Sequence, residues 1–368
     1  MLPLLLLAVA VEAPASEIQS ALQPFVDRGS LAGAVVLVSD KERTLAVEAV
    51  GFADVGGKRP MKPDALFWIA SQSKPITAAA LMILVDEGKV KLDDPVTKYL
   101  PEFKQQKIAV KTATGTKLEQ PKQVMTVRHL LSHTSGMPFA SAKEKPTLDG
   151  LTLKDAVQSY ADTPLVTEPG TKFQYANTGI NTAGRIIEVV SGMPYEEFLT
   201  KHLFEPLGMK DTTFWPNKEQ LARLAKVYRP AKGSGDLEET KIAQLRYPLD
   251  DRTRQPMPGG GLFSTADDVA AFCRMVLNGG KVGEKRILSE AAVKEMTTKQ
   301  TGKLPENYGL GWSAGPAFGH GGALATNMTI DPKSGLITIF LVQHAGFPRD
   351  GGKAQGAFVN AARKKYAR

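Results

Sequence analysis

The 368-residue sequence has one cysteine, few aromatic residues and hardly any long apolar runs. With Cys273 alone, the chain can form neither an internal disulfide nor a cysteine-based zinc cluster. Cys273 ends the apolar stretch 269–273, which favours a small buried side chain over a nucleophile. Aromatic residues make up 7%, and the basic residues that give a net charge of +8 are scattered rather than interleaved with aromatics or glycines. This pattern predicts a solvated cationic surface and no nucleic-acid partner.

One apolar run does occur, from Leu2 to Val11. It is too short to span a bilayer, but its length suits the central region of a secretory signal. Small residues at 13–15 offer a cleavage site, although only the α-amino group supplies positive charge before the run. We therefore expect residues 1–15 to be a signal peptide, the mature protein to be periplasmic or secreted, and no stable membrane insertion after cleavage.

The remaining composition, 42% hydrophobic and 23% charged, is that of an ordinary globular protein. Apolar periodicity predicts the following segments. Strands are expected at 33–39, 45–51, 308–313, 324–330 and 336–342, and helices at 16–27, 77–87, 126–132, 181–191, 265–277, 289–298 and 351–366. A hairpin around Gly115 is expected within 104–124, and a long surface loop over 230–258. Strands at both ends imply one sheet interrupted by a helical part. We expect a single domain over 16–368, with an α/β part from 16–70 and 300–368 and a helical part from 71–299.

The sharpest local feature is the sequence Ser71-x-x-Lys74, which leads into a predicted helix. Three residues of helical spacing place the lysine amine on the same face as the serine hydroxyl. A helix N-terminus also stabilises developing negative charge. Two fixed residues in four recur by chance, so this motif alone does not separate a nucleophile from a surface pair.

Two further motifs follow in order, Tyr175-x-Asn177 and His320-x-Gly322. The set resembles the serine β-lactamase and penicillin-binding-protein superfamily, in particular the class C-related branch that includes D-alanyl-D-alanine carboxypeptidases, D-aminopeptidases and family VIII carboxylesterases. The resemblance covers nearly all of 16–368. Further matching segments are 92–96, 127–136, 258–265 and 308–312. The resemblance implies an α+β, β-lactamase/transpeptidase-like fold: an antiparallel sheet flanked by helices, with an inserted, mainly helical subdomain.

The resemblance also implies roles that acyl transfer requires. Ser71 is the expected nucleophile, and Asn177 is expected to orient Lys74 and the substrate. A phenol has a pKa of about 10, and we expect the Lys74 ammonium to stabilise the phenolate of Tyr175 so that it takes the serine proton.

The backbone N–H groups of Ser71 and Ala323 are the expected oxyanion hole. His320 is expected to give electrostatic support that fades as pH rises through about 6.5, and Gly321 and Gly322 are expected to contact substrate.

Other motifs fit this chemistry less well. Ser313 lies in a Gly-x-Ser-x-Gly sequence, but too few residues follow it to supply an acid and a distant histidine. His129 and His133 are four apart, yet no glutamate follows the first, so buried structural histidines are favoured over zinc ligands. The glycine run 259–261 lacks the Lys-Ser/Thr of a phosphate loop and predicts a tight turn near the cleft.

The sequence thus predicts a serine hydrolase of a small ester, amide or peptide substrate, with no cofactor and no metal. Class C β-lactamases usually place lysine and a hydroxyl residue where this chain has His320 and Gly321, so a fixed cation for an acidic substrate group is lost. We therefore rank carboxylesterase or D-amino-acid peptidase first, and β-lactamase or D-alanyl-D-alanine carboxypeptidase second. A penicillin-binding sensor or scaffold that is acylated without turnover is the alternative from another class.

Overall fold

The structure is a computed structural model that describes residues 16–367. The signal peptide expected at 1–15 lies outside the described residues. The helices are α1 (Glu17–Asp27), α2 (Ser73–Asp86), α3 (Val127–Leu131), α4 (Leu153–Ala161), α5 (Asn177–Ser191), α6 (Tyr195–Leu199), α7 (Glu205–Leu207), α8 (Lys218–Arg223), α9 (Ala266–Leu277), α10 (Glu290–Thr297) and α11 (Ala354–Tyr366). Short 3₁₀ segments occupy Ala70–Gln72, Val96–Lys98, Pro101–Gln105 and Gly351–Lys353, and a π-helical turn occupies Thr200–Phe204.

The strands are β1 (Gly33–Ser39), β2 (Thr44–Asp54), β3 (Arg59–Pro60), β4 (Phe67–Trp68), β5 (Ile108–Thr112), β6 (Gly115–Glu119), β7 (Val227–Pro230), β8 (Leu237–Thr240), β9 (Phe263–Ser264), β10 (Lys281–Val282), β11 (Lys285–Arg286), β12 (Phe318–Gly321), β13 (Asn327–Asp331) and β14 (Leu336–Leu341). Six of them form the main sheet in the order β12-β13-β14-β1-β2-β3, with antiparallel neighbours throughout. The sheet therefore draws its strands from both ends of the chain, and β12 lies at its edge.

Alternating side chains of the central strand β1 supply two separate apolar layers. Val36 and Val38 pack with α1 and α11 on one side, whereas Val35 and Leu37 join the larger core that contains α2, α5 and α9. Both faces of the sheet are thus covered by helices, as the α+β prediction requires.

Helix α2 is the central helix of the larger core and is buried from Ser73 to Leu84. Its sequence is apolar on nearly every face, which is typical of a helix enclosed by protein. Pro75 falls in the first turn, where backbone N–H groups have no intrahelical partner. Gly88, with φ of 70°, follows the helix in the left-handed conformation common at helix C-termini.

Several predicted helix and strand boundaries were wrong. Two buried helices begin with polar residues that the apolar periodicity does not include. Helix α2 begins at Ser73 rather than at Thr77, and α5 begins at Asn177 rather than at residue 181. The segment 308–313 is no strand: Gly311 has φ of 74° and donates its N–H to the Leu131 carbonyl, so the chain turns there.

The two segments predicted from turn residues had different outcomes. The hairpin around Gly115 is confirmed, since β5 pairs with β6 from Ile108–Glu119 to Thr112–Gly115. The stretch 230–258 is not a continuous loop, because it contains β8, which pairs with β7. Among the described residues, no helix has both the length and the apolar character needed to cross a bilayer.

Candidate active site

Ser71 lies in the 3₁₀ turn that leads into α2, and Lys74 is in the first turn of that helix. The residue before the serine, Ala70, has φ of 47°, a left-handed conformation that a side chain rarely adopts. A hydrogen bond joins the segment just before this turn to the glycine run 259–261, since Trp68 Nε1 donates to the Gly260 carbonyl at 2.7 Å. Ser71 is half-buried and Lys74 is fully buried, so solvent reaches the serine while the amine approaches it from the protein interior.

Three acceptors surround the Lys74 amine. Nζ lies 3.1 Å from Ser71 Oγ, 2.8 Å from Asn177 Oδ1 and 2.5 Å from the Gly259 carbonyl oxygen. Asn177 is the first residue of α5, and Gly259 lies in the glycine-rich turn that precedes β9. The structure therefore brings the serine, lysine and asparagine predicted from sequence together at hydrogen-bond distance.

Burial lowers the pKa of Lys74 to about 7, so the neutral amine is readily populated near neutral pH. A neutral amine keeps two N–H donors and one lone pair. Asn177 Oδ1 and the Gly259 oxygen can only accept, so they take the two N–H groups. The lone pair is then directed at Ser71, whose hydroxyl becomes the donor.

The aromatic ring of Tyr175 lies against the Lys74 amine, which is 4.7 Å from the ring centroid. Burial raises the pKa of Tyr175 to about 12, and a side-chain hydrogen bond with Ser71 only partly opposes this rise. The expectation of a phenolate held by the Lys74 ammonium was wrong, because desolvation disfavours both charges. Tyr175 is a neutral phenol near pH 7.

His320 is on edge strand β12 with both ring nitrogens engaged. Nδ1 lies 2.6 Å from the Gly321 carbonyl, which can only accept, so Nδ1 carries the proton. Nε2 then accepts from the Tyr308 hydroxyl at 2.9 Å, and that oxygen lies 3.2 Å from His133 Nε2. His133 Nδ1 in turn accepts the Ala176 N–H at 3.3 Å, so the network ends between Tyr175 and Asn177.

These histidines are uncharged. Burial, assisted by the nearby Lys74, lowers the pKa of His320 to about 3. The same causes hold the pKa of His133 well below its usual range. The expected cationic support that fades above pH 6.5 was therefore wrong: His320 is neutral and ties β12 to the loop that carries Tyr308.

The turn after β12 packs against the chain just before the serine. A Cβ added to Gly322 would lie 2.6 Å from the Ile69 carbonyl oxygen, so only glycine allows this approach. Ala323, the next residue, is exposed on the turn. This contact places the backbone of the turn beside the Ser71 segment, where the oxyanion hole is expected. Gly321 is also exposed, with room for a side chain.

The competing motifs have other contacts. Ser313 is exposed, and its backbone pairs with Gly319. His129 completes a capping box at the start of α3, with Nδ1 accepting the Thr126 N–H at 3.3 Å. Within residues 16–367, no group of three or more histidine, cysteine, aspartate or glutamate side chains is arranged to hold a metal ion.

Sequence reasoning missed the carbonyl of Gly259 as a partner of Lys74, although it placed the glycine run near the cleft. A Cβ at this position would lie 2.9 Å from Asn177 Oδ1. The glycine therefore lets the turn approach both side chains. Sequence reasoning also missed Tyr308, which bonds to His320, and His133, which bonds to Tyr308, since no local pattern links these positions.

Comparison with known proteins identifies the family of the chain. The sequence pattern of the Beta-lactamase family matches residues 18–361. Protein Rv1367c of Mycobacterium tuberculosis is 31% identical over 89% of each chain, and Esterase EstB of Burkholderia gladioli is 31% identical over 77% of this chain and 74% of its own. The solved structure of EstCE1, a hydrolase with promiscuous acyltransferase activity, superposes with a TM-score of 0.78 at 25% identity, covering 94% of this chain and 97% of that one. The chain therefore belongs to the beta-lactamase family of serine hydrolases.

Proposed function

We propose that this protein hydrolyses small carboxylic esters or amides through an acyl-enzyme on Ser71, as a carboxylesterase or D-amino-acid peptidase. The observation that carries the proposal is the buried Lys74 amine, whose lone pair is directed at the serine by Asn177 and Gly259. A base with a pKa of about 7 accepts a proton at neutral pH and returns it readily. The names of two similar proteins, an esterase and a hydrolase, support this reaction class.

The proposed acylation step starts from the hydrogen bond between Lys74 and Ser71. The Lys74 lone pair takes the Ser71 proton while Oγ forms a bond to the substrate carbonyl carbon. The carbonyl oxygen becomes an oxyanion beside the N–H groups of Ser71 and Ala323, donors that are each commonly worth about 3 kcal/mol. The tetrahedral intermediate collapses, and the leaving group departs with a proton delivered from Lys74 through the phenol of Tyr175.

Deacylation repeats these transfers with water. Lys74, neutral again, removes a proton from water through Tyr175 as the water oxygen attacks the acyl carbon. The bond to Ser71 Oγ then breaks, and the serine oxygen regains its proton. Tyr175 remains a phenol before and after each transfer, as its raised pKa requires.

The electrostatics favour neutral substrates over β-lactams. His320 is neutral and enclosed, and Gly321 brings no hydroxyl, so neither supplies the cation or donor that an acidic substrate group would bind. β-Lactamase or D-alanyl-D-alanine carboxypeptidase activity is therefore the second candidate, supported by family membership and by the names of other similar proteins, which include putative D-alanyl-D-alanine carboxypeptidases.

The test is a panel of p-nitrophenyl acetate, a D-alanyl p-nitroanilide and nitrocefin, assayed over several turnovers. We expect steady-state release of p-nitrophenol that Ser71→Ala abolishes and Ser313→Ala preserves, with nitrocefin much slower. Steady turnover of nitrocefin above the ester would favour the β-lactamase candidate. A single burst without turnover on every substrate would instead indicate an acylated sensor.

A further inference from the structure

A chain of hydrogen bonds runs from Lys74 into the protein interior. The Gly259 carbonyl accepts from Nζ at 2.5 Å, and the N–H of the same residue donates to Asn181 Oδ1 at 2.8 Å. Asn181 Nδ2 donates to the Tyr160 hydroxyl at 2.9 Å, and this hydroxyl donates to Glu144 Oε1 at 2.5 Å. Every bond donates in one direction, from the amine towards the carboxylate. We call this series the Glu144 relay.

The geometry at the far end indicates an ionised carboxylate. Glu144 is 4% exposed, and its second oxygen accepts the Ser141 N–H at 2.7 Å. Two oxygens that each accept a donor are the pattern of a carboxylate rather than an acid. Burial raises the pKa of Glu144, while the bonds from Tyr160 and Ser141 oppose the rise. No ion pair with a lysine, arginine or histidine in the described part of the chain neutralises it.

We infer that Glu144 is a positioning residue which, through Tyr160 and Asn181, holds the Gly259 carbonyl against Lys74 and raises the proton affinity of the amine. The relay fixes the orientation of the two peptide groups that meet at the Gly259 Cα. In a poorly solvated interior, the field of an anion at one end of the relay favours a cation at the other. This inference rests on the proposed role of Lys74 as the base.

The other groups facing Lys74 do not supply this charge. Tyr175 is a neutral phenol, and His133 and His320 are neutral imidazoles. Ser71 and Asn177 carry no charge. The anion that hydrogen bonds couple to the amine is therefore Glu144, and it acts against the burial that lowers the pKa of Lys74.

The test compares pH profiles of kcat/KM for p-nitrophenyl acetate in three variants of the full chain. Glu144→Gln removes the charge with little change of shape, and Tyr160→Phe removes the hydroxyl that connects it. Tyr99→Phe is the matched control: it removes a tyrosine–carboxylate bond of 2.5 Å to Asp94 that has no link to the site. The ascending limb should move to lower pH by roughly 0.3–1 unit in both relay variants and stay in place in the control.

The direction of the expected pH shift follows from the charge of Glu144. Losing the anion disfavours the ammonium, so the amine is deprotonated, and active, at lower pH. Melting temperature and fluorophosphonate titration of active sites show which variants fold. If Glu144→Gln does not fold, Tyr160→Phe supplies the comparison with the wild type. If the ascending limb of the kcat/KM profile of a folded relay variant lies at the same pH as in the wild type, the inference about Glu144 is overturned. Wild-type turnover that survives Ser71→Ala would instead overturn the proposed function.

Discussion

Alanine at position 322 should impair catalysis far more than alanine at position 321. The Cβ of Gly322→Ala would lie 2.2 Å from Thr326 Oγ1 and 2.6 Å from the Ile69 carbonyl oxygen. The Cβ of Gly321→Ala would meet nothing closer than the Thr326 carbonyl oxygen at 3.6 Å. Neither glycine has positive φ, so the two substitutions differ in packing and not in backbone strain.

The expected loss of kcat in Gly322→Ala depends on which neighbouring atoms can move. The Thr326 side chain can rotate, but the Ile69 carbonyl is backbone, two residues before Ser71. Ordinary contact begins at 3.4 Å, so the turn must retreat by about 3.4 − 2.6 = 0.8 Å. That retreat carries the Ala323 N–H away from the site, and loss of one oxyanion donor commonly costs about 10²–10³ in kcat. A partial displacement should therefore cost roughly 10–100-fold, with a folding penalty of about 1–3 kcal/mol.

The assay is kcat and KM on p-nitrophenyl acetate, together with the melting temperature of each variant. We expect Gly321→Ala to retain kcat within a few-fold and Gly322→Ala to lose it with KM less affected. Equal kcat values in two folded variants would refute the placement of the oxyanion turn against the serine.

Four further predictions concern the protonation states and the N-terminal sequence. For the wild type, kcat/KM on a neutral ester should rise with pH through about 7, because Lys74 must lose its proton; an activity that is flat from pH 5 to 9 would exclude this base. Tyr175→Phe should lower kcat by about 10²–10⁴ for every substrate and more than His320→Ala does. The His320→Ala effect should not vary near pH 6.5, since the histidine pKa is about 3, and a pH-dependent effect there would show a charged imidazole. Material from the native host should begin near Ser16, as Edman sequencing can show, and a retained Met1 would contradict export.

The regular elements of the fold were predictable where apolar residues follow a simple pattern along the sequence. The seven residues of β1 are all buried, and α1 buries Ile18, Leu22 and Phe25 at helical spacing. The starts of α2 and α5 were not predictable from apolar spacing. Their first turns are polar and are buried because they hold the site, as with Asn177, which points its amide oxygen at Lys74.

The sequence was enough to predict which residues form the site, but not their protonation states. Ser71, Lys74 and Asn177 meet as their motifs imply. The protonation of Tyr175 and His320 was misjudged, because desolvation depends on what encloses a side chain in three dimensions. The carbonyl of Gly259 escaped notice for a related reason: a backbone acceptor leaves no residue-type signal.

The central claim is that Ser71 becomes covalently acylated, and the direct measurement is the mass of the modified peptide. The protein is mixed with p-nitrophenyl acetate, quenched in acid within the first turnovers, digested and compared with samples of Ser71→Ala and Ser313→Ala. We predict an acetyl group on the peptide containing Ser71 in the wild type and in Ser313→Ala, and none in Ser71→Ala. Acetylation that persists in folded Ser71→Ala and disappears in Ser313→Ala would contradict the account.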